Sequence, residues 1–371
     1  MTRPATRTVG FQPPAVGEEE IAAVAETLRS GWLTTGPRAA ELEERMRVFL
    51  EAEHVLAVAS GTAALHLSLL ALGVGPGDEV ITTPITWPAT ANVIVHTGAT
   101  PVFADVRDGD LNIDPDAVRA LVTERTRAIL PVDLHGQPAD LDPLLELGLP
   151  IVEDAAHAAE SRYRGRKVGA IADVTCFSLY ATKNITAGEG GLISTNRADV
   201  AEAVGDLRLM RRGDGSLYDI VVPGYKANLA DVLAAIALCQ LDKVERHREL
   251  RQRQFDLYDE AVAGLPGIEP LARDPRDVHA LHLYAVRIGP EAGATRDEYM
   301  AALLEQGIST SVHFLAVHRL TWYRDRFRAH CPVAERAGDE LLSLPLSPAL
   351  SDEDVAYVAS TLAALHERFR S

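Results

Sequence analysis

The feature that most restricts the fold is an alternation of short apolar runs with helical stretches, repeated from about residue 54 to 154. His54–Ala59, Glu79–Thr83, Thr100–Ala104, Arg127–Pro131 and Leu149–Val152 read as strands rich in Val and Ile. Between them, Thr62–Leu72, Trp87–His96, Pro115–Thr123 and Leu141–Leu147 carry helical patterns. Near-continuous apolar strands separated by helices predict a mainly parallel sheet covered on both faces. The rhythm changes after Asp154. Thr175–Leu179 and Gly191–Ser194 read as strands joined only by a loop, too short for a helical crossover, so an antiparallel pair is expected. A long helical pattern spans Leu229–Val262, a natural hinge to a second unit. Beyond about 265 the pattern is α+β: a strand at Leu281–Ile288, a helix at Arg296–Gln306, a strand near Ser309–His313 and a closing helix at Asp352–Arg370.

Composition narrows the function. The net charge, 36 − 53 = −17, repels a phosphate backbone at long range and disfavours general nucleic-acid binding. No apolar run approaches the roughly 20 residues of a membrane span, and the first residues, with Arg3 and Arg7, lack the apolar stretch of a secretory signal. The expected compartment is the cytoplasm. Cys176, Cys239 and Cys331 are odd in number and widely spaced, which argues against a disulfide framework or a zinc site. Cys176 reads as a small core residue. Only four lysines occur, Lys167, Lys183, Lys226 and Lys243, against a background of arginine. Each therefore raises the question of what arginine cannot do there, and forming a Schiff base is one answer.

Three local patterns bear on chemistry. Ser60-Gly61-Thr62-Ala63 follows a strand and opens a helix, where free N–H groups and the helix dipole suit a phosphate; it also reads as a plain N-cap. Asp154, in Glu153-Asp154-Ala155-Ala156-His157, stands at the C-terminal end of a parallel strand, the ligand-binding edge of open α/β sheets; a capping Asp is the alternative. Lys183 lies between the strand and the glycine-rich turn Gly188-Glu189-Gly190-Gly191, where loss of bulk water lowers an amine's pKa; a salt bridge to Glu189 is the structural alternative. By contrast, Gly73-Val74-Gly75-Pro76-Gly77 follows a helix, so it reads as a C-cap and turn and not as a dinucleotide loop. A phosphate turn, a strand-end Asp and a lysine 29 residues later, 183 − 154, are the three things pyridoxal 5′-phosphate (PLP) requires. Trp87 is a candidate to stack on the cofactor ring, or a core residue.

Together with Ser30-Gly31-Trp32-Leu33-Thr34-Thr35-Gly36-Pro37, Lys183-Asn184-Ile185-Thr186, Gly224-Tyr225-Lys226-Ala227-Asn228-Leu229 and His313-Phe314, these segments resemble the DegT/DnrJ/EryC1/StrS sugar aminotransferases over nearly the whole chain. They look closest to the branch that aminates C4 of a nucleotide-linked keto sugar, such as the 4-amino-4-deoxy-arabinose aminotransferase. The resemblance implies the PLP-dependent aspartate-aminotransferase fold (fold type I), α/β. It implies a large domain at 12–245 with a mainly parallel seven-stranded sheet, and a smaller α+β C-terminal domain at 246–371. It also implies site roles. Lys183 forms the Schiff base and carries the proton. Asp154 pairs with the pyridine nitrogen, and His157 sits near the ring hydroxyl. Gly61, Thr62, Ala63 and Ser178 surround the phosphate, and Trp87 stacks on the ring. Asn228 reaches the phosphate of a partner subunit, in a homodimer. Tyr180 stands where relatives often have His; with His313 and His318 it is a candidate to face the sugar. No metal is implied. Arg208, Arg211 and Arg212 are candidates for a diphosphate, or a solvated helix end.

The activity so implied is transfer of an amino group from L-glutamate to a nucleotide-linked keto sugar, a dTDP- or UDP-4-keto-6-deoxyhexose, in amino-sugar biosynthesis. A 3-keto-sugar or cyclitol-ketone aminotransferase is the alternative within the family. A silent PLP-binding regulatory protein and a nicotinamide-dependent oxidoreductase are the rivals outside it. Intact Lys183 and Asp154 weigh against the first, and the missing fingerprint against the second.

Overall fold

The computed structural model describes residues 7–212 and 219–371, with the side chain of Arg212 outside the described set. The apolar runs do form a sheet. Its four-stranded part runs His54–Val58, Gly191–Thr195, Val174–Ser178, Val152–Asp154 in spatial order. Its three-stranded part runs Thr126–Leu130, Glu79–Thr82, Thr100–Phe103. Parallel bridges Ile129–Ile151 and Val132–Asp154 join the two parts into one layer of 4 + 3 = 7 strands. Gly191–Thr195 alone runs against its neighbours, pairing antiparallel with Val174–Ser178 on one side and His54–Val58 on the other.

Both faces are covered, as the strand composition demands. Val174 and Cys176 point to one face, among Leu65, Leu69 and Ile193, while Phe177 points to the other, among Leu42, Met46 and Leu238. Gly61–Ala71 lies on the first face; Pro37–Phe49 and Asp231–Asp242 lie on the second. Cys176 is buried with its Sγ 3.3 Å from Ser68 Oγ, the core role expected of it.

The expected helical stretch 229–262 is two helices, Asp231–Asp242 and Val244–Val262, broken at Lys243. Lys243, at φ −99° and ψ −4°, forms an ion pair with Glu20, buried at 1% exposure, whose Oε1 lies 2.7 Å from its Nζ. Lys167 is buried with its ammonium 4.1 Å from the centre of the Phe49 ring.

In the C-terminal part, Ile268–Pro270, Tyr284–Ile288 and Leu341–Leu344 form an antiparallel three-stranded sheet. Val244–Val262 and Asp352–Arg370 pack on it through Phe255, Tyr258, Val358 and Leu362. The strand expected near Ser309–His313 is reduced to single bridges, Ile308 to Val9 and Ser311 to Ser343. Past Ser311 the chain leaves the sheet, and His313 is held by its own Nδ1 at 3.0 Å from Ser343 Oγ. A mixed cluster, in which Ile85, Phe103 and Leu134 meet Ala285, Phe314 and Ala337, welds the two sheets' surroundings together. Among the described residues no helix is long and apolar enough to cross a membrane.

Candidate active site

A cavity of about 540 Å³ opens at the C-terminal ends of the parallel strands. It collects Gly61, Thr62, Trp87, Asp154, His157, Ser178, Tyr180, Lys183 and His313, residues scattered over more than 250 positions of sequence (313 − 61 = 252). Each arrives there for a local reason.

Ser60 ends the edge strand's run and caps the helix Gly61–Ala71, its Oγ accepting from Ala63 N at 3.0 Å. That leaves the first amides of the helix, at Gly61 and Thr62, facing the cavity, a donor set suited to a phosphate dianion. Ser178 closes the cradle: a Cβ on Gly61 would lie 3.1 Å from Ser178 Cβ. Gly191 backs the same turn, and a Cβ there would come within 2.4 Å of Ser60 O. Ala63 is not part of the lining, because the Ser60 hydroxyl takes its N–H inside the helix.

Asp154 ends its strand with 6% exposure. Thr90 Oγ1 donates to its Oδ2 at 2.8 Å, and Ala156 N–H to its Oδ1 at 3.2 Å. Burial raises its pKa, and these two bonds and the charge of Lys183 pull the other way. A carboxylate so placed lacks a close cationic partner, which a protonated pyridine nitrogen would supply. Behind it, Glu153 and Asp133 are a fully buried acid pair whose pKa values burial raises, and neither supplies a positive charge to Asp154.

Lys183 sits in a loop pinned at both ends: Leu179 N–H donates to Gly190 O and Ala187 N–H to Leu179 O, each at 2.9 Å. Gly188 at φ 83° and Gly190 at φ 152° take backbone angles that favour glycine, which lets the loop close so tightly. Burial lowers the lysine's pKa to about 8, against the opposing charge of Asp154. No ion pair joins it to Glu189 among the described residues. Near neutrality the amine is still mostly protonated, but its neutral, nucleophilic fraction far exceeds that of an exposed lysine.

His157 accepts the His135 backbone N–H at its Nδ1, 3.3 Å away, which assigns the hydrogen to Nε2. Burial pushes its pKa well below the ordinary value, so the ring offers a neutral donor. His135 itself donates from Nε2 to His313 O at 2.7 Å, its pKa pushed down to about 4 by burial. Trp87 is 65% exposed and Tyr180 47%, both at the rim.

Two expected residues lie elsewhere. His318 is buried under Phe103, with its Nε2 3.0 Å from Glu335 Oε1, because the short helix after His313 turns it into the mixed core. Asn228 does not line its own chain's cavity; it contacts Lys226 and Thr35. Of the arginine cluster, Arg208 pairs with Glu43, and Arg211 with Glu202 and Asp206, so neither faces the cavity. The side chain of Arg212 lies outside the described residues.

The lining also includes Phe314, noted in sequence only beside His313, and Phe11, Gln12, Thr90 and His282, which the sequence reading did not single out. Thr90 had a faint signal: Thr86 and Thr90 are one helical turn apart, and their hydroxyls meet at 2.7 Å. His282 had none.

The turn of free amides, the counter-ion-poor carboxylate and the desolvated lysine fit PLP. Comparison with known proteins agrees. The DegT/DnrJ/EryC1/StrS aminotransferase family matches residues 14–363. The spore coat polysaccharide biosynthesis protein SpsC of Bacillus subtilis (strain 168) is 43% identical over 365 residues, covering 93% of this chain and 94% of SpsC. Among solved structures, the PLP form of Spr1654 from Streptococcus pneumoniae superposes with a TM-score of 0.93 at 35% identity, over 98% of this chain and 100% of that one. DesI, solved in the presence of its TDP-sugar product, gives 0.91 at 32% identity, over 99% and 95%. This chain belongs to the DegT/DnrJ/EryC1/StrS aminotransferase family, and it is a PLP-dependent sugar aminotransferase of fold type I.

Proposed function

We propose that this enzyme moves an amino group from L-glutamate to a nucleotide-linked keto sugar, a dTDP- or UDP-4-keto-6-deoxyhexose, in amino-sugar biosynthesis. The observation that carries the reading is the convergence of Lys183, Asp154 and the Gly61–Thr62 turn on one cavity large enough for a cofactor and a sugar. SpsC, named for polysaccharide biosynthesis, and DesI, solved with a TDP-sugar product, support the substrate class.

The residues divide the work. Bound here, PLP supplies an aldehyde that links amines and a ring that takes up electrons. The Gly61 and Thr62 amides and the Ser178 hydroxyl hold its phosphate. Asp154 faces the pyridine nitrogen and keeps it protonated, while Thr90 fixes the carboxylate's orientation. His157 donates from Nε2 to the ring hydroxyl, since its Nδ1 is occupied. Lys183 holds the cofactor and then moves the proton at the substrate's carbon, a task suited to an amine that titrates at about 8. Trp87 covers the ring face from the rim. Tyr180 and His313 border the space left for the sugar.

We also read the chain as a homodimer in which Asn228 reaches the partner's phosphate site. Its position outside its own cavity and the exposure of Trp32, Leu33, Ile220 and Tyr225 support that reading. The units 12–245 and 246–371 are proposed as the large and small domains, with the helix Val244–Val262 leading from one to the other.

The test is the absorbance spectrum of the purified protein, before and after L-glutamate, followed by addition of keto-sugar nucleotides. A yellow band that bleaches with glutamate, returns with a 4-keto-sugar nucleotide and is absent in Lys183→Ala is the expected result. A band restored only by 3-keto sugars would replace the acceptor, and a colourless protein would overturn the reading.

A further inference from the structure

A second cavity, of about 30 Å³, is lined by Lys183, Asn184, Arg251 and His282, and the last three belong to a chain of hydrogen bonds that starts from a buried ion pair. Arg251 and Glu160 are 2% and 4% exposed, with Nη2 2.5 Å from Oε2. The same Oε2 accepts from Asn184 Nδ2 at 2.5 Å. The second hydrogen of that amide goes to Ala280 O at 2.8 Å. Carboxylate and carbonyl oxygens can only accept, so the chemistry of the partners fixes which end of the Asn184 amide carries nitrogen. Its Oδ1 therefore faces His282 Nδ1, at 2.9 Å, and can only accept from it. His282 must carry its hydrogen on Nδ1.

The other nitrogen is then a lone pair. His282 lines the large cavity as well as the small one, with its ring 4.5 Å from that of His157. Its Nε2 has no hydrogen-bond partner among the described residues and is not sealed from the cavity. Lys183 lines the same cavity, and its amine likewise has no hydrogen-bond partner among the described residues. Of the charged groups around the His282 ring, Lys183 acts most strongly, ahead of His313, Arg251 and His135.

We propose that His282 is a positioning residue for Lys183: Asn184 and the Glu160–Arg251 pair hold it as the Nδ1–H tautomer, and its unpaired Nε2 is the acceptor that the lysine amine, unbonded here, takes up by turning within the cavity they share. The device rests on the reading of Lys183 as the reactive amine. The residue that follows the lysine in sequence, Asn184, thereby holds the imidazole that shares the lysine's cavity. The other groups around the amine are Asp154, His135, His157 and His313. Burial pushes every one of these imidazoles, and His282 with them, below the ordinary value, so the acceptor is unprotonated at neutral pH.

The test uses cofactor-free protein carrying ¹⁵N-histidine. His282→Gln identifies the His282 signals by their loss. At pH 7 the expected pattern is a protonated Nδ1 and an unprotonated Nε2, with the preference lost in Asn184→Leu. The second measurement is the pH midpoint for modification of Lys183 by an amine reagent, followed by peptide mapping. His282→Leu removes an acceptor for the ammonium and lowers the midpoint by about half a pH unit or more. His282→Gln, whose carboxamide oxygen can stand in for Nε2, leaves it near the parent value. A protonated Nε2 in the unsubstituted protein overturns the proposal, whether or not any variant folds. So does an unchanged midpoint in a folded His282→Leu protein. Failure of the underlying reading would show differently, as a yellow PLP band persisting in Lys183→Ala.

Discussion

At the scale of single residues, the site depends on two kinds of fit, one electrostatic and one steric. Lys183 and Lys167 are both pushed to about 8 by burial, yet they differ in access. Lys167 lies under the Phe49 ring with 5% exposure, while Lys183 lines an open cavity. An amine reagent added to cofactor-free protein should therefore label Lys183 first among the lysines, with a rate that rises as the pH climbs through about 8 and the amine loses its proton. Peptide mapping over a pH series reads this directly; preferential labelling of Lys167 would contradict it. The steric fit is at Gly191. Alanine there places a Cβ 2.4 Å from Ser60 O and 2.7 Å from Gly61 N, both backbone atoms of the phosphate turn, so the turn must move. Gly191→Ala should weaken PLP binding by tenfold or more, about 1.4 kcal/mol, in a fluorescence titration, while the chain still folds.

At the scale of elements, the two helices on the second face of the sheet are stitched by one side chain. Asp231 begins its own helix but caps another. Its Oδ1 accepts from Gly36 N at 2.7 Å and Ala39 N at 3.0 Å, and its Oδ2 from Arg38 N at 3.0 Å. The helix Pro37–Phe49 has only Gly36 at its N-cap and no capping side chain of its own. Asp231→Ala leaves three amides without their acceptor in a buried place and should cost roughly 2 kcal/mol in urea unfolding. Asp231→Asn, which keeps one carbonyl oxygen, should recover part of that. The sequence displayed Asp231 as an ordinary first-turn acid of a helix; its partner lies more than 190 positions away, beyond any local pattern.

At the scale of the whole molecule, the lysine loop is tied to the long helix Val244–Val262 by the Glu160–Arg251 pair. Glu160→Ala strands a guanidinium in a place sealed from water, so a loss of about 3–5 kcal/mol is expected in chemical denaturation. Replacing both partners with methionine should restore much of it, because no charge is then left unpaired. The same variant pair separates stability from chemistry: the double mutant should keep the fold while Asn184 loses its Glu160 partner and keeps Ala280 O and His282.

The sequence by itself determined most of the strands and the cofactor class, and it singled out Asp154 and Lys183 as candidates. Strand composition and period are local properties; Asp154 ends one strand that local pattern reveals, and Lys183 lies five residues past the end of another (183 − 178 = 5). The tertiary structure alone decided which groups surround them. Thr90 reaches Asp154 across 64 positions, and His282 reaches Asn184 across 98. It also turned His318 away from the cavity and into the core, although it lies only five positions from His313 (318 − 313 = 5). A strand end can be read from its own residues because hydrophobic period is written along the chain. The tautomer of a histidine cannot, because it is set by an acceptor that only packing brings into reach.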